Sequence, residues 1–374
     1  MVDQGGRNKT PKSIFELLEI CASNVIESQN ADGSFPPGRN YTYNELETPV
    51  KTTARWLITF SKVYELTGEE QYRDVALRSI DYFLQEIDRP GGYTFHCRTT
   101  PGKDKCNGLV GQSWPILALS YSGRVFDIPS AIDLAIELFS THPFHEDLGL
   151  WERIETDGQR IGFDRTLNHQ ILFAARSSNL SNQSAEVEEK IDRFIDRLGQ
   201  NMRLNQEGLI KHFVRPTPKE IVTQFLSNPK YYPLIINEMA YPFRTHSTKR
   251  NKIERGYHTV NLAPLSKLYR RHSCQSFWES NKCANAIQYL ENNIEGLLNK
   301  ENTQHGDGLP GISIAKTLYN FDRCDENLVR DMVNEELTRR FSYDKLRFEI
   351  GGMHQNDQSS LISELVDLPE VHIY

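Results

Sequence analysis

The chain has no long apolar run. Nothing in it reaches the ~20 residues a membrane-crossing helix needs, so no membrane span is expected. It has no basic tract either. With 50 acidic side chains against 43 basic ones, the net charge is −7, which argues against nucleic acid or an anionic membrane as a partner. Cysteine is scarce and unpatterned. Cys21, Cys97, Cys106, Cys274, Cys283 and Cys324 form no C-x-x-C pair and no zinc-ligand spacing. His96, Cys97 and Cys106 read as ordinary loop residues, and no metal site is expected. The polar opening MVDQGGRNKT carries no secretory signal, so reduced thiols and a cytoplasmic location are the expectation. A Walker loop, G-x-G-x-x-G after a strand, H-E-x-x-H, G-x-S-x-G and an EF-hand loop are all missing, and no cofactor is expected. Strand-type alternation of β-branched residues is scarce as well.

What remains is helix, of two kinds. Six stretches carry one apolar stripe and one charged face: 14–26, 72–87, 130–140, 187–198, 276–298 and 326–341. The cleanest is 187–198, with Val187, Ile191, Phe194, Ile195 and Leu198 in register. Between them lie six helices apolar on most sides, starting near Thr52, Gly108, Asn168, Tyr257, Gly311 and Asn356. A helix apolar all round is buried all round. The two kinds alternate six times, with buried starts roughly 50–60 residues apart. One interval is longer, because a stretch at about 204–253 is inserted there. Outer and inner helices alternating along one chain close into a double ring. The expected fold is therefore all-α, one (α/α)6 toroid spanning 1–374, with six outer and six inner helices.

Inner helices of such a ring present their N-termini, with free N–H groups and positive partial charge, at one mouth. The sequence is polar at those starts. Arg55 and Trp56 open the first inner helix. Asn107, Gln112 and Trp114 accompany the second, preceded by Asp104. Asp164, Asn168, His169 and Gln170 open the third. Tyr257, His258 and Asn261 open the fourth, and Asp357 precedes the sixth. Amides and histidines match the paired donors and acceptors of sugar hydroxyls, and indoles offer flat faces to a sugar ring. Asp104, Asp164, His169, His258 and Asp357 are the acid/base candidates. The others are substrate-binding candidates. The bland alternative is that Asp and Asn before a helix are caps and that a buried histidine is a satisfied core group. Glu238, Tyr241 and Arg244, in the inserted stretch, are further contact candidates if that stretch is a lid. The turn SQNADGSF (28–35) reads as architecture: Asp32-Gly33 turns the chain and Phe35 staples it to the ring, with an echo at Asn205–Leu209.

Four blocks, TPVKTTARWLITF, CNGLVGQSWPILAL, FDRTLNHQILFAA and RGYHTVNLAPL, taken in that order, resemble the Agl-cluster protein family called AglQ. The resemblance covers most of the chain. It implies a six-hairpin glycosidase-like fold and a place in archaeal N-glycan assembly, with processing of a hexuronic acid and relatives in bacteria. The W-x-D-D-type block of unsaturated uronyl hydrolases is missing; the corresponding helix reads NGLVGQSW. The expectation is a carbohydrate-active enzyme on a glycan or uronic-acid-containing sugar, either glycoside hydrolase-like or an isomerase/epimerase. Arg55 or Arg165 would meet a uronate carboxylate. The alternative is a non-catalytic glycan-binding or scaffold protein on the same fold. The sequence leaves the sugar and the oligomeric state open.

Overall fold

The computed structural model describes residues 11–40, 45–214, 248–299, 308–350 and 357–373. The helices alternate as the apolar patterns require. The outer ones are α1 (Ile14–Ser23), α3 (Glu70–Leu84), α5 (Pro129–Ser140), α7 (Ala185–Asn201), α9 (Asn281–Asn292, followed by the short α10, Ile294–Leu298) and α12 (Glu326–Arg340). The inner ones are α2 (Pro49–Thr67), α4 (Gly108–Val125), α6 (Leu167–Ser177), α8 (Thr248–Arg271), α11 (Pro310–Asn320) and α13 (Ser359–Ile362). Inner helices pack on one another in sequence, and α13 returns to α2, which closes an (α/α)6 toroid. The chain ends are tied across that seam, where Ile14 N–H donates to the Val371 carbonyl at 3.1 Å.

Local chemistry sets the boundaries. Ser184, Ser280 and Asp325 accept from the N–H three residues on and so start α7, α9 and α12. On α7, Val187, Ile191, Phe194, Ile195 and Leu198 are buried, the stripe the sequence predicts. The inner α4 is buried on nearly every side from Gly108 to Gly123. Two inner starts differ from expectation. The fourth begins at Thr248, well before Tyr257, and the sixth is a stub beginning at Ser359.

Between outer helices and the inner ones that follow, the described residues make excursions at the inner N-terminal face. Three of these carry strands: β1 (Arg39–Asn40) with β2 (Glu45–Leu46), β3 (Phe144–His145) with β4 (Leu150–Ile154) and β5 (Arg160–Phe163), and β6 (Phe341–Ser342) with β7 (Arg347–Phe348). All pairs are antiparallel.

Each described excursion is fastened the same way. The backbone N–H of one buried apolar residue donates to a side chain of the following inner helix or its leading turn. Phe35 donates to Thr53 Oγ1 (2.9 Å), Phe95 to Gln112 Oε1 (2.8 Å) and Trp151 to Gln170 Oε1 (3.1 Å). Ile210 donates to His258 Nδ1 (3.2 Å) and Phe348 to Gln358 Oε1 (2.7 Å). The three glutamines also donate back to the carbonyl of the same residue, so each behaves as a one-residue strand. A left-handed residue stands two before the fastened one in four of the five: Gly33, Gly149, Gly208 and Leu346. Gly33 shows why glycine suits the place. Its φ is +85°, and a Cβ there would lie 2.0 Å from the Arg78 carbonyl of α3. Residues 204–214 of the expected insert form one of this set. Glu238, Tyr241 and Arg244 lie outside the described residues.

Candidate active site

The N-terminal mouth is built around the start of α4. Asn107 and Gly108 both take left-handed backbone (φ +56°), which turns the chain sharply into the helix. The open N–H groups there receive two carboxylates, as a positive helix end favours. Asp104 Oδ1 accepts from Gly108 N–H at 2.9 Å, and Asp164 Oδ2 accepts from Leu109 N–H at 3.3 Å. A Cβ on Gly108 would lie 2.7 Å from Asp164 Oδ2 and 3.7 Å from His169 Nδ1, so glycine lets the three groups meet.

Asp164 is buried and pairs with His169 Nδ1 at 2.8 Å. Burial alone would raise its pKa. The adjacent His169, its hydrogen bond, and Arg153 win and hold the carboxyl down to about 2. Asp164 is thus an anion that fixes the His169 ring, with Nδ1 toward it. The His169 side chain is 29% exposed, and no described residue hydrogen-bonds its Nε2. That is the arrangement of a histidine free to exchange a proton with a ligand.

A second histidine stands near it. Residues 212–214 run against 165–167: the His212 carbonyl accepts from Leu167 N–H (2.9 Å), and Val214 N–H donates to the Arg165 carbonyl (3.0 Å). This sets His212 beside the start of α6, its ring 4.7 Å from that of Tyr257. Burial, with Arg250 and His169 close by, drives its pKa down to about 3, so it is neutral near pH 7. Its Nδ1 is buried without a hydrogen-bond partner. Phe213 beside it lies under the Arg165 and Arg250 guanidiniums, at 5.7 and 4.6 Å.

The other carboxylates of this face are committed elsewhere. Asp104 pairs with Arg98 at 2.8 Å and with Arg153 at 3.7 Å. Glu47 pairs with Lys51 and lies 3.9 Å from Arg55. Glu254 bridges Lys211 (3.1 Å) and Arg250 (3.2 Å). Asp357 accepts the backbone N–H of Arg39.

Several sequence candidates have structural jobs in place of the expected ones. His258 is fully buried; Nδ1 accepts from Ile210 N–H, and Nε2 meets the Ala286 carbonyl at 3.1 Å. Both nitrogens are used by backbone, and burial pushes its pKa to about 3, so proton exchange with a ligand does not fit it. Gln112 and Gln170 are the backbone fasteners described above. Trp56 is 4% exposed and packs against Phe35 and Phe60 inside the wall. Asn261 donates back to the Tyr257 carbonyl at 2.7 Å. Asn168 is 5% exposed, and its Oδ1 is buried without a partner in the described structure. Arg55 and Trp114 form a floor inside the ring: the Arg55 guanidinium lies 4.6 Å from the Trp114 ring centre. His212, Arg153 and Lys211 stand at this mouth and were not singled out from the sequence. His212 sits in the block KHF, which follows the EGLI echo of the opening turn, and that echo was the available signal. Among the described residues, no group of three His, Cys, Asp or Glu is placed to hold a metal.

Comparison with known proteins gives a relative over the full length. The chain is 32% identical over 368 residues to archaeal glycosylation protein Q of Haloferax volcanii, covering 97% of this chain and 99% of that one. No protein-family model matches. The fold is similar to cellobiose 2-epimerase of Bacillus thermoamylovorans, with a TM-score of 0.65, 11% identity and coverage of 95% and 98%. It is also similar to a GH76 α-mannanase of Bacteroides thetaiotaomicron, with a TM-score of 0.56, 10% identity and coverage of 96% and 95%.

Proposed function

The chain belongs to the family of archaeal glycosylation protein Q, and from that premise we propose that it is a sugar isomerase or epimerase working by histidine-mediated proton transfer. The fold leaves the reaction open, since it is shared with an epimerase and a glycosidase. The observation that carries the reading is the pair of histidines at the mouth. His169 is held by Asp164 through one nitrogen and open at the other, and neutral His212 stands beside the start of the same helix. Moving a proton off and back onto a carbon beside a sugar carbonyl needs a proton carrier, the role proposed here for His169, and a neutral imidazole such as His212 can polarise the carbonyl. Glycoside hydrolysis calls for two free carboxyls, one of them kept protonated. Asp164 is held the opposite way, and Asp104, Glu47, Glu254 and Asp357 are already engaged by cations or backbone.

The ligand in this proposal is a uronic acid or an oligosaccharide that contains one. Arg153, Lys211 and Arg250 stand at this mouth in ion pairs with Asp104 and Glu254, and a uronate carboxylate bound there would share those cations with them. All six cysteines are free, which agrees with the cytoplasmic placement we include in the proposal. No described helix is long and apolar enough to cross a membrane.

The test is solvent exchange. Free hexuronic acids and uronate-containing oligosaccharides are incubated with the protein in heavy water and followed by proton NMR. Deuterium entering at the carbon next to the carbonyl is the expected result. Release of a reducing end with no deuterium at that carbon would replace this reading with hydrolysis.

A further inference from the structure

The floor formed by Arg55 and Trp114 has a second side. A cavity of about 360 Å³ opens beneath it, toward the C-terminal ends of the inner helices. That volume is in the range of small-molecule sites. Seven cationic side chains line it against three carboxylates. Two of the carboxylates are already used: Glu364 pairs with Lys316 (2.9 Å) and Asp367 with Lys267 (3.0 Å). The third, Glu65, reaches Lys62 at 4.0 Å. Three arginines from three inner helices, Arg124 of α4, Arg176 of α6 and Arg271 of α8, have no carboxylate within ion-pair distance among the described residues.

Cations in the last turn of a helix complement its negative end, and Arg124 and Arg271 each reach a backbone carbonyl (Ser120 and Ser178). Arg176 also stands in the last turn of its helix, but it reaches no backbone carbonyl among the described residues. Arg176 is 8% exposed, and burial drives its pKa down, as expected of a charge that has lost its water. Its one hydrogen bond goes from Nη1 to Ser113 Oγ (2.9 Å), and its guanidinium stacks 3.5 Å from the Trp114 ring centre. Arg176 lines the cavity. A buried guanidinium with spare donors beside two more unpaired arginines is arranged for an anion with several oxygens.

We infer that this cavity binds a phosphorylated small molecule, at a site separate from the histidines at the other mouth. Phosphate suits it better than carboxylate because three forked cations converge from different helices on one space. Bound there, the ligand touches the arginine that stacks on Trp114, whose ring also carries Arg55.

Pyrophosphate is the probe, titrated calorimetrically into the intact protein at low salt, with citrate as a carboxylate control. One saturable site is expected. Arg176→Gln should weaken it by about tenfold or more, the loss of a charge-assisted hydrogen bond. Arg271→Gln, at the cavity's more exposed rim, should weaken it less, and it guards against a folding defect in the first variant. His169→Gln should leave it unchanged. No saturable pyrophosphate binding, unchanged binding in both arginine variants, equal binding of citrate, or loss of binding in His169→Gln would each overturn the assignment.

Discussion

At the scale of single residues, the division of labour between Asp164 and His169 follows from burial. Asp164 is enclosed and gives up its freedom to neighbours that keep it charged. His169 is part-exposed and keeps one nitrogen open. Replacing His169 with Gln should therefore lower the exchange rate by roughly 10²–10⁴-fold, the usual worth of a general base or acid. His212→Gln should act similarly, because it removes the neutral imidazole proposed to polarise the carbonyl. Circular dichroism should show both variants as helical as the parent. Exchange at the parent rate in either variant would remove that histidine from the mechanism. Asp164 and His169 stand out in the sequence by their place before an inner helix, whereas His212 does not, because 204–253 reads there as one loop.

At the scale of elements, the unit is an excursion fastened to the next inner helix through Thr53, Gln112, Gln170, His258 or Gln358. Gln170 makes three buried bonds, to Trp151 N–H, the Trp151 carbonyl and the Asp164 carbonyl. Gln170→Ala would strand those backbone groups, and a loss of about 2–4 kcal/mol in urea unfolding is expected. Because Asp164 is one of the anchored residues, activity should fall too. The sixth excursion has a different flaw. Leu346 holds φ at +48° where Gly33, Gly149 and Gly208 stand in the others. Leu346→Gly should raise the melting temperature, since relief of left-handed strain is worth about 1 kcal/mol. A lower melting temperature would mean that Leu346 packing outweighs its strain. This pattern explains why ring architecture was legible and amide roles were not. Apolar stripes repeat within one helix and can be read off locally. The partners of Gln112 and Gln170 lie 17 and 19 residues upstream, one in a loop and one in the short strand β4. An amide at an inner start therefore looks the same whether it meets a sugar or a backbone.

At the scale of the whole molecule, the toroid keeps three histidines neutral, two of them fully buried, and this makes it acid-sensitive well above the range of carboxylate titration. His142, His212 and His258 have their pKa values lowered, chiefly by burial, to about 4, about 3 and about 3, from 6.5. Above pH 6.5 neither state binds a proton at these sites, and nothing is lost. As pH falls from 6.5 toward 4 and 3, the unfolded chain takes up protons that the native chain refuses, so stability declines. At pH 5 the loss is about 2 kcal/mol per histidine. Asp164 adds a second phase with the same sign at lower pH. Its folded pKa of about 2 lies below the unfolded 3.8, so its contribution is complete above about pH 4 and disappears toward pH 2. Urea midpoints measured from pH 7.5 to 4.5 should therefore fall steadily below pH 6.5. His258→Gln installs at the fourth inner helix the residue that fastens three other excursions, and it removes one of the three protons. Its midpoint should decline about a third less steeply over that range. A profile as steep as the parent's would mean that the acid response comes from elsewhere in the ring.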